Sequence, residues 1–455
     1  MTDVLTREIT VLDPRTGETV GRVPIATPPQ CDAALRRARA ATDGWGRTPA
    51  AERAAALHAA ATAVRDATDE LAALNARETG KPLADARGGV EAAVSTLVQY
   101  AELGPVHRGR SLHGRWDATD FLVPGPRGVV AVLTPWNDPV AVAAGLLGAA
   151  LVTGNTVVHK PSERCPHTGR RFAELLAAQL PAGVLEILDG DGEVGAHLAA
   201  ADVDVVAHVG STATGRAIAR ACAETGAKAL LENGGNDPLI VDEGVDPAWA
   251  AEQAALGAFA NAGQICVSVE RIYCHAALAD PFLAALTAEA VAWTDRLGPL
   301  VDRRHREHVH GQVAAALAAG AHALTGGEVP DGPGAFYPPT VLIGCTPSMR
   351  VMREETFGPV ASVRVVPDFD IALAEAVHDD YGLAATVLTA DMAHAQTAWR
   401  ALPVGTVKVN AVFGGAPGGA AQPRRGSGSG FGYGPELLDE MTTVKVVHLA
   451  VPPGS

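Results

Sequence analysis

The chemistry of this 455-residue chain centres on a cysteine among small, polar neighbours and a glutamate on a glycine turn. Cys266 closes the run Phe259-Ala-Asn-Ala-Gly-Gln-Ile-Cys266, and Glu232 stands 34 positions upstream in Leu231-Glu232-Asn233-Gly234-Gly235. A buried cysteine is usually a small hydrophobe. Asn261, Gly263 and Gln264 are poor core residues, however, and small neighbours leave room for a substrate beside the sulfur. A helix start close by is expected to lower the thiol pKa. Glu232 ends an apolar strand, where burial raises a carboxylate pKa towards the range that activates water. Glu270 is the weaker candidate for a base, because it falls on the helix expected after Cys266. The pair reads as nucleophile and general base.

Three further motifs sit where strands are expected to end. Thr134-Pro-Trp-Asn137 opens an apolar helix, so Asn137 is either an N-cap or an amide donor aimed at a developing oxyanion. Trp136 on its own reads as packing. In His159-Lys160-Pro-Ser-Glu163, Lys160 and Glu163 are either solvated or hold ribose hydroxyls of a nucleotide at the carboxyl edge of a sheet. A carboxylate there repels a 2′-phosphate, which favours NAD over NADP. Gly210-Ser211 offers backbone N–H groups to a pyrophosphate, without the GxGxxG fingerprint. Glu354-Glu355-Thr-Phe357-Gly-Pro359 is a turn by composition and carries no signal alone.

The elements that must hold these groups follow from patterning. Residues 4–24 suggest a small hairpin, and residues 30–103 a helical stretch broken near Gly44 and at Gly80-Lys-Pro82. Residues 110–126 form a polar ribbon. From Gly128 strands (129–134, 156–159, 185–188, 203–208, 228–231) alternate with helices (140–151, 168–180, and one that follows the 210–215 turn and runs to about 224). The reading is a doubly wound, mostly parallel sheet. A second α/β lobe spans about 236–411, residues 414–434 with nine glycines are irregular, and 442–449 is a strand with no obvious partner.

Composition bounds the partners. A net charge of −15 disfavours nucleic acid and anionic membrane. Cysteines 31, 165, 222, 266, 274 and 345 show no CxxC spacing and no metal pattern, so reduced thiols and no metal are expected. The start lacks the pattern of a signal peptide. The longest apolar run, 139–152, is 14 residues, short of the ~20 that span a bilayer. A cytoplasmic protein is expected.

Taken together, the motifs resemble those of the NAD(P)-dependent aldehyde dehydrogenase superfamily over essentially the whole chain. To those above are added Glu78-Thr-Gly-Lys-Pro82, Tyr381-Gly-Leu383, Gly405-Thr-Val-Lys-Val-Asn410 and Ser427-Gly-Ser-Gly430. The resemblance implies a cofactor domain (1–107 and 127–235), a catalytic domain (236–430) and a small β oligomerisation element (108–126 and 431–455). It implies that Cys266 attacks an aldehyde, that Asn137 and the Cys266 N–H hold the oxyanion, and that Glu232 activates the water that hydrolyses a thioester. Glu355 would bind the nicotinamide ribose, with Phe357 near the ring. Pro135, Trp136, Lys160, Glu163, Gly210 and Ser211 would line the cofactor cleft. Asp138, Val142, Gly145, Ile265, Val267 and Phe413 are expected along the substrate tunnel. The tail strand would add to a sheet across subunits, giving a homodimer or homotetramer.

Asp138, Asn233 and Asn236 depart from the usual residues of that family, as does Pro423-Arg-Arg425. Asp138 either faces the tunnel, favouring an amino-aldehyde, or turns away to cap the next helix. Retention of Glu232 argues against a CoA-acylating enzyme. A pathway-specific semialdehyde or amino-aldehyde dehydrogenase is the alternative within the class. A non-catalytic scaffold is the alternative outside it, and the presence of Cys266, Glu232 and Asn137 together speaks against that reading.

Overall fold

The computed structural model describes residues 7–414 and 422–452. Its first sheet runs, in spatial order, Gly428–Ser429, Lys228–Glu232, Val205–Val209, Val129–Leu133, Thr156–Lys160, Leu185–Ile187. All neighbours are parallel except the first pair. Val129–Leu133 is buried along its whole length, as a strand covered on both faces must be. Its residues alternate between two cores: Val130 and Val132 face the helices Ala50–Asp66, Leu83–Leu103 and Pro139–Val152, while Val129, Ala131 and Leu133 face Pro28–Arg47 and Gly192–Ala199. This doubly wound sheet carries Glu232, Lys160 and Gly210 at or just past the carboxyl ends of its strands.

The second sheet has the order His322–Thr325, Thr340–Ile343, Val360–Val366, Val269–His275, Asp237–Val241, Ala384–Leu388, Thr406–Val409. Only its first pair is antiparallel. Ile240 and Leu239 enter opposite cores of this lobe. The apolar stretch Ala276–Arg296 is long enough by composition to cross a membrane, yet Phe282 and Leu286 on it are fully buried in the second lobe. All six cysteines are free.

Several expectations need correction. The first helical break, expected near Gly44, falls at Thr48-Pro49, just past the helix Pro28–Arg47, where the residue before proline turns extended. A second break falls at Ala67, between Ala50–Asp66 and Thr68–Thr79. The helix Gly192–Ala199 had not been anticipated. Glu270 is on the strand Val269–His275, not on a helix. Part of the glycine-rich stretch, 415–421, lies outside the described residues, but Gly428–Ser429 within it is a strand paired with Lys228–Glu232. The cofactor sheet therefore recruits residues from the expected catalytic domain. The tail strand Thr442–Ala450 does have a partner, Ala118–Pro126 of the same chain, in antiparallel register from Thr442↔Pro126 to Ala450↔Ala118.

One buried ion pair fixes the glycine turn to the second sheet. Arg271 and Asp379 meet at 2.7 Å with side chains 2% and 8% exposed, and Arg271 Nε donates to the Asn236 carbonyl at 2.9 Å. Removing one partner leaves the other charge buried and alone, which costs about 3–5 kcal/mol. Arg271→Leu is therefore expected to lower the urea midpoint markedly; an unchanged midpoint would show that the pair holds nothing together.

Candidate active site

Cys266 lies between the short helical turn Ala260–Gly263 and the strand Val269–His275. Asn261 and Ala262 hold φ of 50° and 55°, in the left-handed region that costs a non-glycine residue about 1–3 kcal/mol when the surroundings impose it. The constraint comes from Gln264. Its carbonyl accepts the Asn261 and Asn137 amides, each at 3.1 Å, and its own side chain is bonded to the Asn261 carbonyl and the Val301 N–H. Asn137 spends one N–H on Gln264 and keeps the other for a ligand.

Gly234 and Gly235 let the Glu355 carboxylate and the Cys266 backbone close on the turn. A Cβ at Gly234 would stand 2.2 Å from the Glu355 carboxylate, and one at Gly235 would stand 2.5 Å from the Cys266 carbonyl. Glu355 Oε1 also accepts the Gly235 N–H at 2.9 Å. Glu270 explains the geometry of the turn opposite: its carboxylate accepts the Thr356 and Phe357 N–H groups at 3.0 and 2.9 Å. It is an anchor for Phe357, whose φ is 54°.

Electrostatics separates Cys266 from Glu232. Burial raises the Glu232 carboxyl to about 7. The Cys266 thiol is also raised, first by burial and then by Glu232, Asp237 and Glu355, with Lys408 opposing. No helix start follows Cys266, so the expected lowering does not occur. The resting pair is a protonated thiol beside a carboxyl poised near neutrality. Burial, with Glu270 second, takes Glu355 up to about 8.

A cavity of about 460 Å³ collects most of the sequence-derived residues: Cys266, Glu232, Asn137, Pro135, Trp136, Gly210, Ser211, Glu355, Phe357 and Val142. Lys160 and Glu163 stand aside. The Lys160 ammonium donates to the Pro161 and Gly190 carbonyls, 3.8 Å from Glu163. Asp138 turns away from the cavity towards Lys81, at 3.6 Å, and makes no side-chain cap to its helix. Gly145 faces Tyr433, Phe413 packs in the second lobe near Lys408, and Ile265 and Val267 flank Cys266 without lining the cavity.

Reading the sequence missed Arg164, Arg304, His305 and His308, which line the same cavity. Arg164 lies over Trp136 at 5.2 Å, and His305 Nε2 meets the Phe357 carbonyl at 2.7 Å. A signal was there: His305 and His308 are three apart on the helix Arg303–Ala318, hence on one face.

A family model described as the aldehyde dehydrogenase family matches residues 2–447. The chain belongs to the aldehyde dehydrogenase family. It is similar to a 3,6-anhydro-alpha-L-galactose dehydrogenase of Streptomyces coelicolor, 37% identical over 96% of this chain and 92% of that one. It is 36% identical to a succinate-semialdehyde dehydrogenase [NADP(+)] of Deinococcus radiodurans, over 89% of this chain and 87% of that one. Among solved structures, a betaine aldehyde dehydrogenase from Staphylococcus aureus in complex with NAD+ superposes with a TM-score of 0.95. That protein is 29% identical, with 99% of this chain and 92% of that one covered. In this aldehyde dehydrogenase the family match spans every residue that lines the cavity.

Proposed function

We propose that this enzyme oxidises an aldehyde to a carboxylic acid through a thioester on Cys266, with NAD as its preferred acceptor. The carrying observation is that Cys266, Glu232 and Asn137 reach one cavity together with Glu355 and Phe357. The cofactor reading passes a test of fit. The cavity offers an aromatic wall in which Trp136 and Phe357 meet at 5.5 Å, a carboxyl on Glu355, and the start of the helix Thr212–Thr225 behind Ser211.

The Cys266 sulfur adds to the aldehyde carbon as the thiol proton passes to solvent. The carbonyl oxygen becomes an oxyanion and takes the spare Asn137 N–H and the Cys266 backbone N–H. A nicotinamide dinucleotide, when bound, would supply the acceptor for the hydride that leaves that carbon, and Cys266 would then hold the carbon as a thioester. Glu232 then takes a proton from water as the water oxygen attacks the thioester carbon; the C–S bond breaks and the acid leaves.

Asn137→Ala is expected to lower kcat by about 10²–10³-fold with dinucleotide binding intact. Unaltered kcat would remove Asn137 from the mechanism. The acceptor preference rests on Glu163, whose carboxylate disfavours a 2′-phosphate. Asp138 is paired with Lys81, so it gives no basis for choosing a cationic aldehyde. The test is cofactor reduction with aliphatic, aromatic, ω-amino and ω-carboxy aldehydes, with NAD and NADP in parallel. No turnover on any of them would bring the scaffold reading forward. The chain is read as a homo-oligomer, because Val444 and Val446 on the edge strand Thr442–Ala450 are 58% and 68% exposed. A monodisperse monomer by light scattering at low concentration would contradict this.

A further inference from the structure

His208 has no part in the chemistry above. It is 8% exposed, and neither ring nitrogen has a hydrogen-bond partner. The carbonyl of Leu133, the residue paired with it in the parallel register, faces the ring without forming a well-aligned hydrogen bond. Buried polar atoms are nearly always paired, so two orphan nitrogens on one ring ask for a ligand.

The place of His208 says which ligand. From Val129–Leu133 the chain adds Thr156–Lys160 and Leu185–Ile187 on one side, then returns to put Val205–Val209 on the other. Doubly wound sheets bind their ligands outside the carboxyl ends of the strands at such a reversal. His208 is the last residue but one of Val205–Val209. The edge of its ring lies against Gly210, where an added Cβ would stand 2.7 Å from Cε1 and 2.9 Å from Nε2. Gly210 itself lines the cavity, so the imidazole sits directly behind that wall of the cleft. The next residue but one, Thr212, has a buried hydroxyl that also lacks a partner.

Protonation decides the kind of contact. Burial first, and the Lys160 charge second, push the imidazole down to about 4, so it is neutral at physiological pH. A neutral imidazole offers one N–H and one lone pair. Ribose hydroxyls can satisfy both, whereas phosphate oxygens only accept.

We infer that His208 is a specificity residue for the adenosine ribose of the dinucleotide, exchanging hydrogen bonds with its hydroxyls and so selecting NAD over NADP. This rests on the cofactor reading above. The test is the Kd of NAD and of NADP, measured by calorimetry without aldehyde, for the parent enzyme, His208→Phe and His208→Gln. His208→Phe is expected to weaken NAD by about tenfold and NADP by much less, narrowing their ratio. His208→Gln keeps a donor and an acceptor and is expected to stay within about threefold of the parent. A folded His208→Phe whose NAD affinity matches the parent would make His208 a packing residue. If His208→Phe does not fold, the glutamine variant decides, and a loss of about tenfold on both dinucleotides alike would overturn the inference. A parent enzyme that binds neither dinucleotide would instead overturn the cofactor reading, and this inference with it.

Discussion

Cys266→Ala is expected to abolish aldehyde-dependent cofactor reduction, by at least about 10⁴-fold, while dinucleotide binding is unchanged. No neighbouring sulfur can substitute. Cys31, Cys165, Cys222, Cys274 and Cys345 are all buried, and Cys266 is the one cysteine with appreciable exposure. Iodoacetamide should therefore label one thiol in the native parent enzyme and none in the variant. Because burial and three carboxylates hold the Cys266 thiol protonated, labelling should be slow near neutrality and quicken as the pH rises. Substantial turnover by Cys266→Ala would mean that the reaction does not pass through this sulfur.

Glu232→Gln is expected to separate the two halves of the reaction. The glutamine cannot take a proton from water, so the thioester should accumulate after a burst of one reduced cofactor per active site. Steady-state turnover should then fall by about 10²–10⁴-fold. The pH dependence gives a second reading. With the Glu232 carboxyl at about 7, the parent rate should climb as the pH passes upward through neutrality, because only the carboxylate form can act as base. That limb should vanish in the variant. A variant with full turnover and the same pH limb would assign the base elsewhere; Glu355, raised to about 8, would then be examined first.

The groups proposed to do chemistry were legible in the sequence because short-range patterns fix them. A glutamate at a strand end before two glycines, an asparagine after a strand, and a cysteine after small residues each owe their place to local backbone. The doubly wound sheet was legible for the same reason, since its strands are buried on both faces and read as apolar runs. What failed depends on distant partners. Glu270 looked helical because nothing in its neighbourhood reveals that it bonds the Thr356 and Phe357 amides from another loop. Asp138 was read as either facing the tunnel or turning away to cap its helix; it does turn away, but towards Lys81 on a distant segment and without capping the helix. His305 and His308 enter the cleft only because their helix packs beside the Phe357 turn. The break at Ala67 has neither glycine nor proline to announce it.

The most direct measurement is mass spectrometry of Glu232→Gln quenched in acid after mixing with NAD and an aldehyde that the parent oxidises. The peptide containing Cys266 should carry the added mass of the acyl group, in an amount equal to the burst of reduced cofactor. A burst with no acyl group on Cys266, or an acyl group on another residue, would contradict a thioester mechanism at this site.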